Sequence, residues 1–150
     1  MRNQNKVSDF IIDGKPTNPI IIDKIVKYHL NPINEINKTF IERIYPSVKS
    51  SFRSYLWEKS KGRSGASQHC FGENKDLKVN KDALGATDWT CDNINRFKPQ
   101  LLDALIKGTN YTRLCVYNTM IHGDYKPTEG GKRRLYNINS NGGWVFVKEI

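Results

Sequence analysis

Residues 64–77 read S-G-A-S-Q-H-C-F-G-E-N-K-D-L, and the reading of the whole chain turns on them. The stretch sets His69 and Asp76 seven positions apart, with Cys70 beside the histidine and Gly72 between. Three chemistries use such residues: a metal site, a surface turn that happens to hold polar side chains, and a thiol site at Cys70. The rest of the sequence has to choose among them.

A chain of 150 residues suits one domain with a core of its own. Its 24 Lys and Arg against 15 Asp and Glu leave a net charge of +9, a surface that attracts polyanions such as nucleic acid, anionic membrane or an acidic wall polymer. The cations are spread along the sequence rather than gathered into a binding motif, which argues against nucleic acid as the partner. No segment approaches the roughly 18 apolar residues of a membrane span, and the first residues lack a signal-peptide pattern. The expectation is a protein made in the cytoplasm, which reaches any other compartment by release or carriage. Cys70, Cys91 and Cys115 form no paired framework and no C-x-x-C, so reduced thiols are expected.

Residues 1–18 read as an irregular arm, with D-G-K-P-T-N-P as a turn cluster, and residues 19–150 as the domain. From Ile20 to Ile44 apolar residues recur every three to four positions, which predicts one long amphipathic helix or two joined near Asn31-Pro32. A short strand is expected over 47–52, a short helix from Arg53, a strand at D-L-K-V, and a second helix from Thr90 to Lys107. Four strand-like runs follow: T-R-L-C-V-Y, M-I-H-G-D-Y, R-R-L-Y-N-I and W-V-F-V. Helices first and strands last predict an α+β domain whose largely antiparallel sheet is covered on one face.

A catalytic zinc site takes three protein ligands and keeps one position open. His69, Asp76 and His122, the last from M-I-H-G-D-Y, are the candidates. The alternative is a loop histidine, a capping aspartate and a hydrogen-bonded core histidine.

The stretch S-Q-H-C-F-G-E-N-K-D resembles the S-x-H-x-x-G-x-x-x-D signature of the zinc D-alanyl-D-alanine carboxypeptidases and their endolysin relatives. These belong to the hedgehog/DD-peptidase superfamily. S-S-F-R-S at 50–54 is similar to the strand-then-arginine motif that precedes the histidine loop there. M-I-H-G-D-Y resembles the strand of the second zinc histidine, and G-G-K-R-R-L-Y the hairpin after it. Four motifs stand in order, and with the long helix before Arg53 the resemblance covers about Ile20 to Tyr136. The resemblance implies a hedgehog/DD-peptidase-like fold and Zn2+ held by His69, Asp76 and His122. It also implies that Arg53 binds substrate or the developing oxyanion. Gly72 would let the loop fold tightly, and Cys70, alternating away from His69, would pack rather than ligate.

The pattern is broken in two places. The general base usually stands three residues before the second histidine, where this chain has Thr119, and a small alanine usually stands where it has Asn74. On strand parity Asp124 shares a face with His122 and becomes the candidate base, with Glu73, Asp88 and Glu129 as outside choices. The expected activity is zinc-dependent hydrolysis of an amide in bacterial peptidoglycan peptides, as by a phage lysin. The chain would act on the wall after release or as part of a virion, with other virion proteins as partners. The alternative is a non-catalytic virion or wall-binding module that retains the fold.

Overall fold

The computed structural model describes residues 4–11 and 18–150. The chain forms an α+β domain around a six-stranded sheet ordered β1-β2-β4-β3-β5-β6. The strands are β1 (Ile44–Pro46), β2 (Ala86–Cys91), β3 (Arg113–Val116), β4 (Ile121–Asp124), β5 (Arg134–Ile138) and β6 (Trp144–Glu149). Every pairing is antiparallel except β3 with β5. The four strand-like runs at the end of the sequence are β3 to β6.

Helix α1 (Pro19–Ile25) begins where the Asn18 side chain accepts the Ile20 N–H and Pro19 needs no partner for the N–H it lacks. A π-helical turn, Val26–Leu30, carries it into α2 (Asn31–Ile36). The predicted long helix therefore exists but stops at Ile36 rather than Ile44. The stop has a local cause. Asn37 accepts the Ile44 N–H at 2.8 Å and donates to the Ile44 carbonyl at 2.9 Å, so its side chain pins the returning chain as a strand would.

Residues 47–52, expected as a strand, form a turn, and α3 (Tyr55–Ser60) follows, capped by Ser54. The predicted helix from Thr90 divides in two. Thr90 and Cys91 complete β2, Asn93 turns the chain in a left-handed conformation, and α4 (Ile94–Gly108) then buries Phe97, Leu101 and Leu105 along one face. The residues 4–11 of the expected arm are packed into the domain. Phe10 is buried against Trp89, and its carbonyl accepts the Phe52 N–H. The turn cluster expected nearby falls mostly on residues 12–17, outside the described residues.

Side chains alternate across the sheet, and the two faces have different work. Thr87, Trp89, Leu114, Ile121 and Leu135 lie on the helix side, in or beside the core with Ile21, Ile25, Ile33, Leu101 and Leu105. A hydrogen-bonded chain is buried there too. Tyr111 Oη receives the Trp89 indole N–H and lies 2.7 Å from His29 Nδ1, while His29 Nε2 donates to the Leu84 carbonyl. Residues of opposite parity, Asp88, Arg113, Cys115, His122 and Asp124, share the other face.

Candidate metal centre

Register brings the site together. Asp88 on β2 is the direct cross-strand partner of His122 on β4, and His122 is in turn opposite Cys115 on β3. His69 arrives from the short helical turn Gln68–Cys70, which Ser67 caps by accepting the His69 N–H. That turn is tied to the strand Asp88 occupies through residues 50–53. Arg53 N–H donates to the His69 carbonyl, and Asp88 N–H donates to the Ser50 carbonyl.

His69, Asp88 and His122 are all buried, and their ligand atoms lie within 4.8 Å of one another. This group can hold a metal ion. His69 Nδ1 donates to the Ser51 carbonyl at 2.9 Å, and because a carbonyl only accepts, Nε2 carries the lone pair. That Nε2 lies 3.5 Å from Asp88 Oδ2, the spacing of two ligands on one ion with bonds of about 2.1 Å. His122 Nδ1 lies 2.7 Å from Asp88 Oδ1, and Nε2 lies 2.8 Å from Asp124 Oδ2. Both partners are acceptors, so both ring nitrogens donate when no metal is bound. Burial would lower the His122 pKa, but the hydrogen bonds and charges of Asp124 and Asp88 overcome it and raise it to about 9. Burial likewise opposes charge on Asp88, yet the hydrogen bond and charge of His122 hold its carboxyl well below the usual carboxylate range. A cation fits this donor set by taking the place of the His122 Nδ1 proton between charges already present.

The acidic residue that joins His69 and His122 is Asp88, and Asp76 lies elsewhere. Asn74 decides this. Its side-chain oxygen accepts the N–H groups of Asp76 and Lys78 at 2.9 and 3.1 Å, closing a tight turn with Leu77 left-handed. A bridge between Glu73 and Val79 finishes this small hairpin, which carries Asp76 to an exposed tip. Gly72 does make the tight fold expected of it: its φ is +84°, and a Cβ there would stand 2.7 Å from the Asn80 carbonyl. One sequence signal for Asp88 was present. The alanine missing at position 74 stands at Ala86, two residues before Asp88.

Arg53 lines the cleft in front of the group, with Nη2 3.9 Å from Asp88 Oδ2 and 3.2 Å from Ser50 Oγ. Asp124 lines it too, but fully buried behind His122, with its oxygens occupied by His122 Nε2, a two-pronged Arg113 and the Lys126 N–H. A carboxylate so filled orients the imidazole and is not free to take a proton from water. Glu73 is buried too, and accepts the Tyr55 N–H at the start of α3. Glu129 and Thr119 are exposed on turns, Thr119 in the hairpin between β3 and β4. Cys70 is buried, and burial pushes its thiol up to about 12, which leaves it unreactive at neutral pH.

Comparison with protein-family models, curated proteins and solved structures finds no match to this chain. What defines its class is therefore the architecture itself: an α+β domain presenting a buried His-Asp-His group at the floor of a cleft. Among the described residues, no helix is long and apolar enough to cross a membrane.

Proposed function

We propose that the chain is a zinc peptidase of hedgehog/DD-peptidase architecture, hydrolysing an amide bond in bacterial peptidoglycan peptides in the manner of a phage lysin. The observation that carries this reading is the buried His69–Asp88–His122 group, open to a cleft of roughly 360 Å³ with Arg53 on its wall. The mainly antiparallel sheet beneath it and the +9 charge, suited to an anionic wall, support the same reading.

His69 and His122 offer borderline nitrogen donors and Asp88 an oxygen, the set that suits zinc. When bound, zinc supplies Lewis acidity that polarises a carbonyl and acidifies water. The chain's own residues do the rest. Ser51 holds the His69 ring with Nε2 toward the cleft, and Asp124 fixes the orientation of His122. Arg53 presents a half-buried guanidinium to the negative charge that develops on an attacked amide oxygen.

A second reading has an observation behind it. The carboxylates lining the cleft are Asp88 and Asp124, and both are engaged, while Thr119 stands where the resembled peptidases carry their base. A wall-binding module with a silent site would look the same. Metal content of the purified chain, followed by hydrolysis of wall fragments with and without chelator, separates the two. Chelator-sensitive release of new termini supports the enzyme; zinc retained with no cleavage of any wall fragment supports the module; a chain that takes up no zinc defeats the enzyme reading.

A further inference from the structure

Tyr117 follows β3 directly and shares the site's face with Arg113 and Cys115 by strand parity. It lines the same cleft as Arg53, His69 and His122. Its phenol oxygen accepts the Trp144 indole N–H at 2.8 Å, and the Trp144 ring lies 5.2 Å from the His122 ring. An indole nitrogen only donates, so this bond leaves the tyrosine's own proton unspent. No described residue accepts it. The Arg113 guanidinium lies 4.5 Å from the centre of the Trp144 ring and is itself locked to Asp124. The hydroxyl is thus held by an indole that Arg113 and the His122 ring pack against.

We propose that Tyr117 is the neutral hydrogen-bond donor of an oxyanion pocket in front of the His69–Asp88–His122 group, with Arg53 as its cationic donor. The ligand class is an oxyanion: a carboxylate, a phosphate, or the charged oxygen formed in amide hydrolysis. Burial raises the Tyr117 phenol above its ordinary range, so it stays protonated at neutral pH and remains a donor. Polarised by the indole N–H, the hydroxyl donates more strongly than a free phenol. The inference deepens the proposed reading of the same cleft, but the two donors are placed there by the fold with or without zinc.

The test uses the full zinc-loaded chain, titrated with inorganic phosphate and followed at the Trp144 indole N–H resonance. Wild type should show saturable binding. Tyr117→Phe should weaken it about tenfold with zinc content unchanged, the size of effect expected for one bond to a charged ligand. Arg53→Gln should weaken it as well, and the double variant should lose less than the sum, because both donors meet one ion. Equal affinity in wild type and Tyr117→Phe overturns the assignment, as does strict additivity. A chain that takes up no zinc sinks the peptidase reading; the same comparison on the zinc-free chain then decides Tyr117 separately.

Discussion

Asp88 and His122 face each other across the β2–β4 ladder, with Asp88 Oδ1 2.7 Å from His122 Nδ1. Cross-strand partners of this kind cannot drift apart without breaking the sheet. The carboxylate and the imidazole are therefore held within hydrogen-bond reach of each other by the backbone ladder, and only His69 is brought by a loop.

Asp88→Asn should lower zinc affinity by more than about 100-fold, since loss of a supporting residue alone costs about 10–100-fold. Asp76→Asn should leave affinity unchanged. Zinc stoichiometry after dialysis against a competing chelator compares the two. The reverse ranking would return the third ligand to Asp76.

Asp124→Asn should keep zinc but bind it about 10–100-fold more weakly, because the His122 ring loses the carboxylate that orients it. Arg113→Gln leaves that carboxylate buried without its cation, and should cost on the order of 3–5 kcal/mol of stability. Zinc titration reads the first variant and urea unfolding the second. Unchanged zinc affinity in Asp124→Asn would show that His122 needs no partner at Nε2.

Gly123 lies between His122 and Asp124 on the core face, where an added Cβ would stand 2.6 Å from the Tyr111 ring. Gly123→Ala should therefore destabilise by about 1–3 kcal/mol through overpacking. Thermal unfolding checks it, and an unchanged midpoint would mean that the tyrosine moves freely.

Burial pulls the His29 pKa down to about 3 from an ordinary 6.5, outweighing the hydrogen bond to the Leu84 carbonyl, which favours the charged ring. The unfolded chain thus binds a proton the folded chain refuses. Stability from this group is complete above pH 6.5 and is lost progressively as pH falls toward 3. Urea midpoints should decline between pH 6.5 and 4.5 in wild type and decline less in His29→Gln. Parallel curves would assign the acid loss to other groups.

Zinc binding only to the folded state should raise its stability by about 4 kcal/mol at a thousandfold excess over the dissociation constant. Addition of zinc should raise the unfolding midpoint of wild type and leave that of His69→Ala nearly unmoved. Scanning calorimetry in the presence of chelator gives the reference.

Local pattern alone determined a good part of this protein. The period-two runs from Thr112 to Val147 placed four strands, and within them parity put His122 and Asp124 on one face. Strand parity also drew attention to Asp124, but it could not tell a base from a residue that holds a ligand. That difference depends on Arg113, eleven positions away, filling the other side of the carboxylate. Asp88 reads from the sequence only as an outside choice of base, because Thr90 and Cys91 beside it read as the start of a helix; only pairing with β1 and β4 made Ala86–Cys91 a strand. Asp76 matched a spacing, yet a side-chain turn at Asn74 carried it away from His69. Spacing along a chain limits what can meet, whereas register between distant strands selects what does, because each strand's hydrogen bonds are satisfied only by its neighbours in the sheet.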